Sequence, residues 1–308
     1  MPAASHSAPA GPTPTDGASG NSAFRLATAR WPDVEAGPRR LLVVPLGSLE
    51  QHGPHLPLDT DARIAVAVAT RACAGRAGRA GVWVAPPIAI GASGEHADFP
   101  GTISIGTEAL TLVLVELGRH ASLHWPAMLF VNGHGGNVPA INEALKLLRA
   151  EGRRCHAWHA GVRSAPPSSA ETDVGWPDAD AATAGRETDE TGAETDIAGT
   201  GTAARDARPP FVVDAHAGRV ETSIMLALAP HDVRLELAAP GETRALPAIM
   251  PELRARGTRH VSPNGVLGDP AGASAAEGEW LLAQLTASLD EKLTSLLSTT
   301  NDFDPADF

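Results

Sequence analysis

The chain has 308 residues, of which 43% are hydrophobic and 19% are charged, and its formal net charge at pH 7 is −12. This length allows one large domain or at most two, and the hydrophobic content is sufficient for a packed core. The negative charge argues against nucleic acid as a partner, because phosphate binding needs a basic surface.

Apolar runs and cysteine spacing indicate in which compartment the protein is expected. No apolar run approaches the roughly 18 residues that a membrane span requires, and the start of the chain lacks the regions of a signal peptide. We therefore expect no membrane association and a cytoplasmic location. Cys73 and Cys155 lie far apart without a CxxC pattern. We expect neither a disulfide framework nor a thiolate zinc site, but two buried small apolar residues.

Two segments lack the composition of a folded core. Residues 1–22 consist almost entirely of Ala, Ser, Pro, Gly and Thr, and residues from about 164 to 210 are acidic and without periodicity. Such segments bury too little apolar surface to offset the entropy of ordering. We therefore predict a disordered tail at 1–22 and a single catalytic domain at 23–308, which a disordered acidic insertion interrupts at about 164–210.

Outside these segments, apolar strands alternate with amphipathic helices. The first strand, Leu41–Leu46, is rich in branched apolar side chains without polar alternation, which is typical of a strand buried on both faces. Further strands are predicted at 82–85, 128–131 and 155–159, and helices at 62–75, 107–123, 140–150 and 274–297. Residues 240–268 are rich in turn-forming types. The repeat of strand, loop and helix predicts an α/β fold, with a mostly parallel sheet and helices on both faces.

Histidines and carboxylates crowd the loop that follows the first strand. Glu50 and His52 are two residues apart, so that in an extended segment both side chains project to the same side, and Asp61 lies where the next helix starts. The carboxyl edge of an open α/β sheet is where ligands bind. The potential ligands in this loop are Glu50, His52, His55, Asp59 and Asp61.

Two later segments add residues of the same kind. His134 lies in the glycine-rich NGHGGN that follows the third strand, and His216 follows a short apolar segment that begins at Phe211. Glu221 comes next, in the first turn of a predicted helix. A mixed set of imidazoles and carboxylates without thiolates suits zinc, manganese or iron(II), and two ions can share a bridging carboxylate. The spacing alone indicates a metal-dependent hydrolase.

Other histidines and acids have weaker claims. His120 and His124 fall in a predicted helix and are expected to be surface or packing residues. The long loop 91–106 contains Glu95, His96 and Asp98, and loops of this length inside a compact domain are usually functional.

Four segments of the chain resemble the creatininase family. They are EQHGPHLPLDTD at 50–61, GEHADFPGTISIG at 94–106, NGHGGN at 132–137 and HAGRVETS at 216–223. The resemblance implies a creatininase-like three-layer αβα fold and two divalent metal ions per subunit, Zn²⁺, Fe²⁺ or Mn²⁺.

The same resemblance implies a role for each site residue. One ion would be held by Glu50, Asp61 and His134. The other would be held by His52, Asp61 and Glu221, with Asp61 bridging the two. His216 would be the proton donor or acceptor beside the scissile bond.

One position departs from the family pattern. Creatininase itself has a glutamate two residues after the histidine of the glycine motif, where this chain has Gly136. We therefore expect a substrate other than creatinine. Segments 91–116 and 262–270 are most similar to family members that release a modified C-terminal valine–tyrosine unit from a ribosomally made precursor peptide. That modified precursor peptide is the expected substrate.

Two other hypotheses stay open at this point. One is an amidohydrolase of the same family that acts on a small cyclic amide or a formamide. The other is a metal-storing or scaffolding protein without catalytic activity, which would require the loss of a ligand, and none of the six is lost. By the resemblance we also expect a homo-oligomer.

Overall fold

The computed structural model describes residues 25–74, 76, 80–161 and 214–299. The predicted disordered tail at 1–22 and the predicted acidic insertion at about 164–210 lie outside these residues. So does the apolar segment from Phe211 to Val213 that was expected to lead to His216.

The centre of the described fold is a parallel sheet of four strands in the order β2-β1-β3-β4. The strands are β1 (Leu41–Leu46), β2 (Val82–Val84), β3 (Met128–Asn132) and β4 (Cys155–His159). All three pairings are parallel. Because adjacent parallel strands need a long crossover connection, helices separate them along the chain. The prediction of a parallel α/β sheet is confirmed.

Eight α-helices occur in the described residues. They are α1 (Trp31–Ala36), α2 (Thr60–Ala74), α3 (Gly106–Ala121), α4 (Val138–Ala150), α5 (Arg219–Leu228), α6 (Leu246–Arg256), α7 (Thr258–Val261) and α8 (Ala275–Thr299). The four helices predicted by range correspond to α2, α3, α4 and α8, with ends that differ by no more than two residues.

Residues 240–268, predicted to be rich in turns, also contain two helices that were not predicted, α6 and α7. The prolines of α6 hide the helical pattern. Pro247 lies in the first turn, where a missing backbone N–H is not needed, while Pro251 lies inside the helix. The composition alone therefore resembled that of a turn-rich loop.

Alternate residues of the sheet face two separate helical layers. Leu41 and Val43 of β1 pack in a core cluster with α2, α5 and α8, whereas Leu42 and Val44 pack in a second cluster with α3 and α4. This is the predicted three-layer arrangement. Helix α8 contributes a stripe of leucines at a spacing of four, which are Leu281, Leu285, Leu289, Leu293 and Leu297. Burial of each such side chain contributes roughly 1.5–3 kcal/mol.

The strand order determines where a ligand can bind. The chain passes from β1 to β2 on one side and then returns to β3 on the other side of β1. The crevice between the carboxyl ends of β1 and β3 is therefore a topological switch point, the usual binding position in open α/β sheets. The loops that follow β1 and β3 carry Glu50, His52 and His134.

Two further expectations concern the cysteines and the membrane. Cys73 and Cys155 are both buried free thiols, as expected. Burial raises the pKa of Cys73 to about 12, which is unsuited to a thiolate ligand at neutral pH. Among the described helices, none combines the length and hydrophobicity that crossing a bilayer requires.

Candidate metal centre

The structure brings all six predicted site residues together at the switch point. The loop after β1 supplies Glu50 and His52, and the first turn of α2 supplies Asp61. The loop after β3 supplies His134, His216 lies just before α5, and Glu221 lies in the first turn of α5. Their ligand atoms form three overlapping groups, each within 4.8 Å, which are Glu50–His52–His216, Glu50–Asp61–His134 and His52–Asp61–Glu221.

A glycine allows the first two of these elements to meet. A Cβ atom on Gly47 would lie 2.4 Å from the backbone N and Cα of Ala62. No side chain fits in that space, so Gly47 lets the loop after β1 pack directly against the start of α2. Asp61, which precedes Ala62, is thereby held beside Glu50 and His52.

Asp61 lies between two histidines and directs one oxygen toward each. Its Oδ1 is 3.1 Å from His52 Nε2, and its Oδ2 is 3.2 Å from His134 Nδ1. Glu50 Oε2 lies 3.1 Å from His134 Nε2, and Glu221 Oε2 lies 3.9 Å from His52 Nε2. Two adjacent groups of candidate ligands, Glu50–Asp61–His134 and His52–Asp61–Glu221, therefore share Asp61.

Three of the histidines are oriented by backbone carbonyl groups. His52 Nδ1 lies 3.1 Å from the Glu50 carbonyl, His134 Nε2 lies 3.1 Å from the Ala92 carbonyl and His216 Nε2 lies 2.7 Å from the Gln51 carbonyl. A carbonyl can only accept, so these nitrogens donate. The other nitrogen of each ring faces a carboxylate, and His134 Nε2 itself also lies 3.1 Å from Glu50 Oε2. Histidines that bind metals are usually oriented in this way.

The buried carboxylates fit a pair of cations. Glu50 Oε1, Glu50 Oε2 and Asp61 Oδ2 are buried and accept no well-aligned hydrogen bond from any residue that the structure describes. An ionised carboxylate without partners is costly to bury. Metal ions coordinated by these oxygens and by the facing imidazole nitrogens would remove that cost.

Without metal, the charges in the centre perturb one another strongly. Burial raises the pKa of Glu50 to about 7, and the neighbouring Asp61 contributes in the same direction. Burial alone would lower the pKa of His52, but the adjacent Asp61, with Glu221 and Glu50, raises it to about 10. The pKa of Asp61 is lowered despite its burial, because His52 and His134 stabilise the carboxylate. Protonated histidines therefore balance the carboxylates of the metal-free centre.

Three residues of the site were missed as candidates or left unassigned. His96 is buried, its ring centroid lies 4.4 Å from that of His216, and its Nε2 lies 3.4 Å from Glu50 Oε1. Glu95 Oε1 lies 3.4 Å from His134 Nε2. Gln51 contacts both His96 and His216. The signal for His96 and Glu95 was their position in a long Gly- and Pro-rich loop, but Gln51 is a neutral residue type that carried no signal.

Other polar residues of the sequence clusters lie outside the centre. His55 is buried and its Nε2 lies 2.9 Å from Thr222 Oγ1, while Asp59 forms an ion pair of 2.8 Å with Arg63. His120 and His124 are exposed. His120 is in the last turn of α3 and His124 lies beyond its end, so neither can be a ligand here.

The fold and the donor set are together typical of metal-dependent hydrolases, which use histidine and carboxylate ligands at a buried centre. The family model for creatininase, described as creatinine amidohydrolase, matches residues 27–293. The chain therefore belongs to the creatininase family.

Individual relatives are similar over most of the chain. A mycofactocin precursor peptide peptidase from Mycolicibacterium smegmatis is 42% identical over 260 residues, 82% of this chain and 84% of that protein. A protein of the same name from Mycobacterium tuberculosis is 44% identical over 251 residues, 79% of this chain and 80% of that protein. A solved mutant creatininase of Zn-Zn type is 22% identical with a TM-score of 0.62, covering 89% of this chain and 98% of that chain. The structural likeness supports the fold.

The shared position of Asp61 leads to a first prediction. Asp61→Asn replaces one carboxylate oxygen by an amide nitrogen, which carries protons and does not bind a cation. It also removes the negative charge that the two ligand sets share. We expect the variant to lose both metal ions together, whereas His52→Ala loses mainly one. Elemental analysis of the purified proteins measures this. Asp59→Asn, two residues away in an exposed ion pair, is the matched control, and full occupancy in Asp61→Asn would refute the bridging role.

A second prediction concerns pH. The raised pKa of His52, about 10, means that its protonated form stabilises the metal-free fold fully below its unfolded pKa of about 6.5 and progressively less as pH rises toward 10. Glu50, whose pKa is raised from 4.5 to about 7, lowers the stability in the same direction but between about pH 4.5 and pH 7, so the fall above pH 7 reports His52. The melting temperature of chelator-treated protein should therefore fall between about pH 7 and pH 9. Metal competes with these protons, so the stabilisation by added zinc should grow over the same range. A metal-free protein that is more stable at pH 9 than at pH 7 would contradict the charge balance described.

Proposed function

We propose that this protein is a metal-dependent peptidase that acts on a mycofactocin precursor peptide. It would hydrolyse an amide bond and release the modified unit derived from the C-terminal valine and tyrosine. The observation that carries the proposal is the similarity, above 40% identity across about four fifths of the chain, to proteins named for this activity. The complete set of six site residues supports a catalytic protein over a storage or scaffolding protein.

The centre is suited to hydrolysis of an amide bond. We propose that Glu50, Asp61 and His134 hold one divalent ion and that His52, Asp61 and Glu221 hold the other, with zinc, iron or manganese as the ion. When bound, such ions lower the pKa of water and polarise a carbonyl group. Asp61 would contribute to both sites, because its two oxygens face different histidines.

His216 is proposed to move the proton between the attacking water and the departing amine. Its Nε2 donates to the Gln51 carbonyl, so Nδ1 carries a lone pair, and Nδ1 faces Glu50 Oε1 at 3.6 Å. Burial and the nearby charge of His52 hold the pKa of His216 well below its usual range. The neutral ring can therefore accept a proton at Nδ1 and pass it to the amine nitrogen, which needs one to leave.

The surface beside the centre has apolar groups that suit an aliphatic and aromatic substrate. The segment that leads to Glu50 is flanked by Leu58, whose carbonyl accepts from Glu50 N, and by Ile103, whose N–H donates to the Leu49 carbonyl. The exposed fractions of Leu58 and Ile103 are 37% and 53%. Since the chain contains no tyrosine, aliphatic side chains such as these are proposed to hold the valine and tyrosine portions.

Gly136 supports a substrate other than creatinine. A Cβ atom at this position would lie 2.4 Å from each of Glu95 Oε1, Ala92 O and His134 Nε2. A glutamate, which occupies this position in creatininase, therefore does not fit beside Glu95. A reaction that depends on that glutamate is not expected here.

Location and assembly stay predictions within this proposal. We propose a cytoplasmic enzyme, where a ribosomally made precursor is available, and a homo-oligomer. Multi-angle light scattering of the purified protein measures the second directly, and a monomer at micromolar concentration would contradict it.

Cleavage of the peptide is the direct test. We expect zinc- or manganese-loaded protein to release the C-terminal unit from the modified precursor peptide, detected by mass spectrometry, and to leave creatinine and small formamides intact. Asp61→Asn should be inactive and Asp59→Asn active. Hydrolysis of creatinine or a formamide with no release from the modified peptide would instead support the small-amide alternative.

The role of His216 has its own prediction. His216→Ala should retain its metal ions but lose about 10²-fold or more in turnover, the usual contribution of a positioned acid or base. His216→Gln, which can still donate to the Gln51 carbonyl but cannot carry a proton at neutral pH, should be equally slow. Metal content and single-turnover cleavage are measured together. Loss of metal in both variants would make His216 a ligand, and near-normal turnover would exclude it from the reaction.

A further inference from the structure

Gln51 lies between two proposed ligands in sequence and contacts two histidines of the centre. Its side chain is buried, with 5% exposure. The Nε2 atom lies 2.8 Å from His96 Nδ1 and 3.0 Å from both His216 Nε2 and the Gly265 carbonyl. The Oε1 atom accepts a hydrogen bond of 2.8 Å from Gly53 N. The function proposed above gives this side chain no role.

The orientation of the Gln51 amide follows from its backbone partners. Gly53 N can only donate, so the atom that faces it must be Oε1. The Gly265 carbonyl can only accept, so the atom that faces it must be Nε2, and this contact uses one of the two Nε2 protons. One proton remains for the two histidines.

The histidines cannot both accept that proton. His216 Nε2 lies 2.7 Å from the Gln51 backbone carbonyl, a shorter contact than the one to the amide, and it must donate there. A nitrogen that donates has no lone pair to accept with. His96 Nδ1 therefore accepts the remaining proton of Gln51, which leaves the proton of a neutral His96 ring on Nε2.

The surrounding turn is built to hold Gln51 in this position. Gly265 has φ of +81°, and a Cβ atom on it would lie 1.9 Å from Gln51 Oε1. Only glycine adopts this conformation freely and leaves that space. Ser262 Oγ donates to the Val266 carbonyl at 2.7 Å, which fixes the turn on both sides of Gly265. The segment from Ser262 to Pro270, noted in the sequence without a role, thus supports the Gln51 amide.

We infer that Gln51 is a positioning residue that sets the tautomers of two histidines of the centre, His96 through its side chain and His216 through its backbone carbonyl. As a result His96 presents an N–H group to Glu50 Oε1 at 3.4 Å, and His216 presents a lone pair to the same oxygen at 3.6 Å. The N–H of His96 faces the Glu50 carboxylate from outside the ligand set and attracts it electrostatically, without an aligned hydrogen bond. The lone pair of His216 stays available to the reacting groups.

The opposite tautomer of His96 would place a lone pair against a carboxylate oxygen. Because His216 already presents a lone pair to Glu50 Oε1, a second lone pair from His96 would leave that oxygen facing no N–H group from either ring. Partners that orient ligating residues typically contribute 10- to 100-fold in metal affinity. This inference rests on the proposed metal centre but not on the proposed peptide substrate.

Neutron diffraction from crystals of the wild-type protein, grown without metal in deuterated buffer at about pH 8, tests the tautomers directly. We expect deuterium on His96 Nε2 and none on His96 Nδ1, with deuterium also on His216 Nε2. Deuterium on His96 Nδ1 would overturn the inference. This measurement requires neither a variant nor a substrate, so a failure of the proposed peptidase activity leaves it unaffected.

Zinc affinity, measured by competition with a chromophoric chelator, tests the consequence. Gln51→Met keeps the length of the side chain but removes its donors, and His96→Phe keeps a ring but removes the N–H group. Each should weaken zinc binding about 10- to 100-fold, and the double variant should be no weaker than either alone, because both act through one contact. Unchanged affinity in Gln51→Met would show that Gln51 serves only packing, and losses that add in the double variant would show that Gln51 does not act through His96.

Discussion

The burial of charge is the constraint on which this structure depends. Glu50 and Asp61 are almost completely inaccessible to solvent, and three of their four oxygens lack an aligned hydrogen bond from the described residues. Burial of isolated, ionised carboxylates costs a free energy that is large compared with the net free energy of unfolding of a domain. The fold therefore surrounds them with histidines, whose charge in the metal-free state is adjustable and whose ring nitrogens can be ligands when metal is present.

The parallel sheet makes this burial possible. Its two cores, one on each face, are rich in fully buried apolar side chains such as Val43 and Phe130. They hold β1 and β3 as rigid neighbours, so the loops at their carboxyl ends start from fixed positions. The close contact of Gly47 with Ala62 then places Asp61 against the loop after β1. A centre built on strand ends and helix starts keeps its ligands in place better than one built on long loops alone.

The orientation of the centre depends on groups that carry no charge. Backbone carbonyls of Glu50, Gln51 and Ala92 accept from His52, His216 and His134, and in each case the free nitrogen turns inward. The side-chain amide of Gln51 also orients His96, but it donates a hydrogen bond to His96 Nδ1 where the carbonyls accept one. The chemistry of the site is thus determined as much by the direction of neutral hydrogen bonds as by the number of charged ligands.

The sequence by itself determined the class of fold and the composition of the centre. Apolar strands without alternation and helical periodicity predict a covered parallel sheet, and those signals are local. Glu50, His52 and Asp61 stand out because charged residues directly after a buried strand are unusual, and His134 and Glu221 stand out by their glycine-rich or helix-start context. The helix α6 was obscured by its prolines.

Only the tertiary structure decided which atoms face one another. The two oxygens of Asp61 are divided between His52 and His134. His96 and Gln51 join the centre, while His55 turns away to Thr222. These facts depend on long-range packing between loops that are distant in sequence, and neither periodicity nor residue type carries information about such contacts.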